Sequence, residues 1–200
     1  MAQVITLKIT YADCDNRIWR EAQISDNSYL NKLGYMVLAT FDTLSYHLFS
    51  IEYNGVLFEL PSEDTITQPE ECLFYVKLKD LNLNIGDKLQ MIYDFGCEQM
   101  FDIEVVDISP MARGTGTAYP KILRGEGRGI LDDIPAEETL EIIKDIDKTG
   151  NSEHMYPTKY NSELKWDYRD YDLNGDNCLL KGEIQQLEDK YSYFEQFMEE

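Results

Sequence analysis

Ile5, Leu7 and Ile9 alternate with Thr6, Lys8 and Thr10, and then the spacing of apolar residues changes. A period of two is a half-buried strand, because successive strand side chains point to opposite faces. Arg17 to Ile24 is a second strand, reached through the polar turn Asp13-Cys14-Asp15-Asn16. Leu30, Leu33, Val37 and Phe41 then fall three or four apart, which is one stripe of a helix. Asp26 or Ser28 is positioned to cap it. The period returns to two at His47, Phe49, Ile51 and Tyr53, which run into Asn54-Gly55 and then Val56 to Leu60. Asn-Gly between apolar runs is a hairpin signal, since both turn residues need positive φ. Leu89, Met91, Tyr93 and Phe95 alternate, as do Phe101, Ile103 and Val105, so two adjacent strands meet around Gly96. Pro61 to Glu71 reads as a loop, and Leu73 to Leu78 fits a strand or a short helix equally well.

The last third has a different texture. Pro135 opens a helix with the stripe Ile142, Ile143 and Ile146, stopped by Gly150. Residues 151–178 are polar and poorly periodic. Ile184, Leu187, Tyr191, Phe194 and Met198 form a C-terminal amphipathic helix. Strands with one helix, followed by helices, argue for α+β over a doubly wound sheet. The expected fold is a mixed or antiparallel sheet with one helix inserted after the second strand and a mostly helical C-terminal third. It forms a single domain over 1–200: a strand-rich core at 1–110, a Gly-rich basic loop at 111–134 and a helical part at 135–200.

Charge limits the partners. The chain has 18 Lys and Arg against 38 Asp and Glu, net −20, with 43% hydrophobic residues. Such a surface neutralises few phosphates, so no direct nucleic-acid binding and no anionic membrane are expected. The apolar content is enough for a core. Cys14, Cys72, Cys97 and Cys178 are far apart with no C-x-x-C, which fails zinc and thioredoxin spacing and reads as reduced thiols. No run reaches the 18 apolar residues of a membrane span, and the N-terminus alternates like a strand rather than a signal peptide. A cytoplasmic location follows. One segment is positive: Arg113 to Arg128 carries four bases and one acid among its glycines. Backbone amides of such a loop can cradle an anion; surface pairing with nearby acids is the plainer use.

The loudest motif is Asp170-Tyr171-Asp172-Leu173-Asn174-Gly175-Asp176, the first half of a calcium loop. Position 12 of that loop needs a bidentate Glu, and Lys181 stands there. The candidate ligands Asp170, Asp172, Asn174 and Asp176 therefore read better as a turn, and no metal or cofactor is expected. Asp145-Ile146-Asp147 to Gly150 is a fainter echo. There are two histidines, His47 and His154, and no G-x-S-x-G, so no catalytic triad is visible. His47 and Asp94 can serve as structure, with Asp94 a cap or turn acceptor, or as an acid–base pair. Trp19 and Arg20 offer a cation–π pair, although strand neighbours point to opposite faces.

Ile18-Trp19-Arg20, the helix leading to His47-Leu48-Phe49, Tyr93-Asp94-Phe95-Gly96, Tyr119-Pro120 with Gly125-Glu126, and Trp166 occur in a familiar order. Over about residues 3 to 195 the chain resembles the plasmid pRiA4b ORF-3-like family, also labelled insertion-element passenger proteins. The resemblance implies an intracellular α+β domain, an association with mobile elements and no established activity. It also implies a helix approach at Asp170 to Asp176. The family usually continues the Tyr-Asp-Phe-Gly motif with Asp, Trp and His, where this chain has Cys97, Gln99 and Phe101. It has a Leu-His pair where Leu33-Gly34 stands. Its proline-rich acidic motif is Gly127-Arg128-Gly129-Ile130 here.

Three functional classes follow. The first is a non-catalytic interaction or ligand-binding module, with a protein partner as one option. Its candidate binding residues are Trp19, Arg20, His47, Tyr93, Asp94, Arg124 and Glu126, with no catalytic set. The second is an enzyme of undetermined class using Asp94 with His47 or Glu126, which requires those groups in one pocket. The third is an acidic protein that imitates nucleic acid to occupy a basic partner. A recombinase is rejected, because residues 111–200 are themselves net −9 and offer no positive DNA-facing surface.

Overall fold

The alternation at Ile5, Leu7 and Ile9 builds a strand whose apolar side buries completely while Lys8 stays exposed. That strand, β1 (Gln3–Tyr11), pairs antiparallel with β2 (Trp19–Ser25). The turn between them uses positive φ at Asp13, Asp15 and Asn16, which short polar side chains tolerate. The structure is a computed structural model describing residues 1–62, 68–153, 155–157 and 162–198. His154 lies outside the described residues.

After β2 come α1 (Leu30–Thr40), β3 (Phe49–Tyr53), β4 (Val56–Glu59), β5 (Lys88–Tyr93), β6 (Gln99–Pro110) and β7 (Lys121–Glu126). Then follow α2 (Ala136–Thr149), a small hairpin of β8 (Met155–Pro157) and β9 (Glu163–Lys165), and α3 (Leu173–Tyr191). The seven-stranded sheet runs β4-β3-β5-β6-β1-β2-β7 with every pairing antiparallel. Asn54-Gly55 makes the tight β3–β4 turn, with φ of 52° and 79°. This is the expected α+β architecture.

One sheet face is polar and open: Lys8, Glu52, Lys88, Asp102, Glu104 and Arg124 are exposed. The other face holds Leu7, Ile9, Ile24, Phe49, Ile51, Met91, Phe101 and Ile103, and α1 lies against it. From Leu33 to Thr40 every residue of α1 is buried, because α3 covers its outer side. A helix apolar all round belongs in an interior. Tyr35, Phe49 and Tyr191 join the three layers, with ring centroids 5.4 to 5.9 Å apart.

Several expectations are corrected here. Neither Asp26 nor Ser28 caps α1: Tyr29 is the N-cap and makes no side-chain bond. The orphan amides of the helix start are instead satisfied by a loop, Leu30 N–H donating to Val76 O at 2.9 Å and Asn31 N–H to Leu73 O at 3.0 Å. Of the segment Leu73 to Leu78, residues 73–77 are neither strand nor helix, with the Leu73 and Val76 carbonyls serving α1, and Leu78 opens a short 3-10 helix, Leu78–Leu81. The basic segment of 111–134 is not loop throughout. It contributes the edge strand β7, because Ile122 to Glu126 can pair with β2 through backbone alone. The last helix begins eleven residues before Ile184, inside the calcium-like motif, where Asp172 accepts the Asn174 N–H at 3.0 Å as its N-cap. Asn177 grips the β7 backbone in both directions, accepting from Ile122 N–H at 2.8 Å and donating to Ile122 O at 2.9 Å. Among the described residues no helix is long and apolar enough to cross a membrane.

Candidate functional site

The expected site residues separate into two groups. Trp19, Arg20, Arg124 and Glu126 sit together on β2 and β7, while His47, Tyr93 and Asp94 gather at the ends of β3 and β5. In the sheet order β7 is four strands from β5, about 19 Å at ~4.8 Å per strand.

Arg20 is the centre of the first group and is fully buried. Its Nε donates to Thr40 O at 3.1 Å, Nη1 to Trp19 O and Glu126 O at 2.9 Å, and Nη2 to Arg128 O at 2.7 Å. The guanidinium lies 3.9 Å from the Tyr171 ring centroid and 4.9 Å from that of Phe41. Asp176 is 3.9 Å away. Four carbonyls and two rings consume this cation, so it holds β2, α1 and β7 together and is inaccessible to a partner. Trp19 sits on the outer face with its Nε1–H 3.4 Å from Glu126 Oε2. Arg124 forks onto Glu21 Oε2 at 2.6 and 3.1 Å, and Arg128 is 3.6 Å from Asp42. These bases pair with nearby acids, the plainer use of the basic segment.

The second group forms where three turns meet. Asp94 adopts φ 57° at the start of the β5–β6 turn. Its N–H donates to Leu48 O at 3.1 Å, and its Oδ1 accepts Gly96 N–H at 3.0 Å. The β3 approach is anchored from outside by the Tyr191 hydroxyl, which donates to His47 O at 2.6 Å and Ser45 O at 3.2 Å. The third turn carries Asp132 and Asp133, which the sequence reading missed. Gln99, fully buried, fixes it by donating to Ile134 O at 2.8 Å. Asp132 accepts Tyr93 O–H at 2.7 Å and Leu44 N–H at 2.8 Å. His47 Nε2 thereby lies 3.0 Å from Asp133 Oδ1 and 3.5 Å from Asp94 Oδ2. The Tyr46 hydroxyl bonds the other Asp133 oxygen.

The two adjacent acids are driven apart. Burial raises Asp132 above the usual carboxylate range, while the Tyr46 hydroxyl, with help from His47, lowers Asp133. Burial and the Asp94 charge also push the Cys97 thiol up. Asp94 is 5% exposed, and its Oδ2 accepts no hydrogen bond. The only sequence signal for Asp132-Asp133 is an acidic doublet between Leu131 and Ile134-Pro135, in the region where the family's acidic motif is altered.

Behind Asp132 a cleft of about 100 Å³ opens between this turn and the β8–β9 hairpin. Leu44, Ile130, Leu131, Asp132, Tyr156 and Trp166 line it. Trp166 is 5% exposed and its Nε1–H is buried without an acceptor.

The calcium-like residues do not converge. Asn174 and Asp176 are already in α3, and Asp176 is directed at Arg20. Among the described residues, Asp170, Asp172 and Asp176 do not form a group with metal-ligand spacing, whereas His47, Asp94 and Asp133 do, with ligand atoms all within 4.8 Å of one another. The family's distinctive positions are occupied structurally here. Phe101 packs on Tyr11 and Phe41 at 5.5 and 4.9 Å. At Gly34 an added Cβ would lie 2.1 Å from the Phe49 ring, so no larger residue fits without displacing it.

The sequence pattern of the family described as "Plasmid pRiA4b ORF-3-like protein" matches residues 3–175. No curated protein matches the chain. Among solved structures, a protein of unknown function from Methanosarcina mazei Go1 is similar, with a TM-score of 0.68 and 19% identity. The similarity covers 88% of this chain and 97% of that one. At that identity the likeness shows the fold.

Proposed function

This chain belongs to the plasmid pRiA4b ORF-3-like family, and we propose that it is a non-catalytic ligand-binding module whose site is the cleft beside Asp132. The cleft carries this reading: seven of its ten lining residues are apolar or aromatic, Trp166 among them, and Asp42, Arg128 and Asp132 supply its polar side. A ligand of about 100 Å³ is small, and these walls make it largely apolar. An anion is disfavoured, because Arg128 on the wall is paired with Asp42, which leaves Asp132 and a net charge of −20 to repel it. Four unpaired cysteines support a reducing, cytoplasmic setting.

Two tryptophans are present, so Trp19→Phe leaves Trp166 as the reporter. Titration with neutral aromatic amides such as benzamide should give a saturable change in its fluorescence. Leu164→Glu, at a half-exposed position on the cleft wall, should abolish it. No saturable change across such a series, or an equal change in the Leu164 variant, removes the reading.

One observation favours a second reading, an enzyme using Asp94 with His47. The two lie 3.5 Å apart, near the reach an acid–base pair needs. Glu126 is excluded from that pair by its place on β7. Turnover of a substrate that survives in His47→Gln would remove it.

A further inference from the structure

We propose that His47, Asp94 and Asp133 bind one divalent first-row transition cation. This rests on a different observation from the cleft reading and stands or falls apart from it. The three donor atoms are His47 Nε2, Asp94 Oδ2 and Asp133 Oδ1. They come from three separate turns yet lie 3.0 and 3.5 Å from the shared imidazole nitrogen. A cation with bonds of about 2.0–2.2 Å places neighbouring ligands roughly 3.0–3.5 Å apart in octahedral or tetrahedral geometry. The distances from the imidazole nitrogen to both carboxylate oxygens therefore suit an ion shared by the three groups.

The independent sign of a missing ligand is Asp94 Oδ2. It is a carboxylate oxygen buried in the protein with no hydrogen-bond donor. Leaving such an oxygen unpaired is costly, and a natural structure keeps it for a reason. Its partner oxygen is already fixed by Gly96 N–H, so the carboxylate cannot turn away. Asp133 is prepared in the same way. Tyr46 occupies Oδ2 and leaves Oδ1 facing the imidazole. Such outer contacts orient ligands and set affinity. The imidazole itself is held edge-on to Tyr93 at 5.7 Å and beside Tyr46 at 4.3 Å.

The donor set chooses the ion. One imidazole and two carboxylates suit zinc, manganese or iron, whereas calcium demands six to eight oxygens. The Asp133 side chain is 58% exposed and that of His47 is 29% exposed, so an ion can enter from solvent and keep water on its open positions. The competing arrangement is an imidazolium bridging two carboxylates, which needs no ion.

The test is a titration of chelator-treated protein with Mn²⁺ and with Zn²⁺. Mn²⁺ binding is read by electron paramagnetic resonance, and thiols scarcely compete for it. Zn²⁺ binding is read by calorimetry in a Cys97→Ser background. One ion per chain is expected. Asp133→Asn, at an exposed position, and His47→Gln should each weaken it at least tenfold, since even outer-shell losses cost 10–100-fold. Melting curves that match the parent show that the variants are folded. If the parent binds neither ion stoichiometrically, the cluster is an ion pair alone and the proposal is wrong. Equal affinity in the parent and in both variants would overturn it as well, by placing the ion elsewhere.

Discussion

Arg20 and Asp94 are both charged side chains withdrawn from water, near the same end of one sheet, and they are treated in opposite ways. Arg20 meets four carbonyl oxygens and two aromatic rings. Asp94 has one oxygen satisfied by a backbone amide and the other by nothing but an imidazole at 3.5 Å. The first charge is complete and serves as a joint between β2, α1 and β7. The second is incomplete and opens onto two further polar turns. Burial alone therefore does not mark a site; what distinguishes Asp94 is a buried carboxylate oxygen without a hydrogen-bond donor that converges with two further ligating groups.

The comparison breaks most readily at the joint. Arg20→Met should cost about 3–5 kcal/mol in urea denaturation, because the carbonyls of Thr40, Glu126 and Arg128 lose their donor inside the protein. A loss under about 1 kcal/mol would mean that water replaces the guanidinium, and that the joint is no more finished than the cluster.

The next effect lies between the two centres. Gly34→Ala forces a methyl into the Phe49 ring and should cost about 1–3 kcal/mol, with Phe49→Leu recovering part of it. Recovery would show that the family's polar position on α1 has been absorbed into packing, on the architectural side of the comparison. Tyr191→Phe comes third. It removes the donor to the Ser45 and His47 carbonyls and should cost about 1 kcal/mol by thermal denaturation. It sharpens the contrast by loosening the approach to His47 while leaving the Arg20 joint intact.

The smallest effect is in pH. Asp133 titrates below its ordinary value when folded, chiefly because Tyr46 donates to its carboxylate. That contribution is present at neutral pH and lost as pH falls through the folded value. The acid limb of a pH–stability curve should be slightly shallower in Asp133→Asn. Solvent exposure keeps the change small.

The sheet and helices were legible because their signals are local. The alternation in Ile5 to Ile9, the Asn54-Gly55 turn and the stripe on α2 each settle their own segment. Failures came where a distant partner decides. Residues 73–77 have no periodicity of their own because their carbonyls serve α1. Residues 121–126 are a strand only because β2 offers an edge. Asp170 to Asp176 reads as a turn on its own residues, and the start of α3 within it comes from Asp172 acting as N-cap. The site was half legible for the same reason. His47, Tyr93 and Asp94 stand out in sequence and do meet, but Asp133 lies 39 residues after Asp94. Only the turn held by Gln99 brings it there. Arg20 looked available because a cation is rarely buried, although the period of two shared with Ile18, Ala22 and Ile24 puts it on the inner face.

The most direct test is the denaturation free energy of Asp94→Asn in the presence of chelator, beside that of the parent. The amide keeps its bond with Gly96 N–H and removes a buried charge that lacks a donor. If the cluster is an unfinished site, the variant should stay within about 1 kcal/mol of the parent or exceed it. A loss of about 3 kcal/mol or more, matching that expected for Arg20→Met, would show that Asp94 is as fully built into the architecture as Arg20 and would contradict the account.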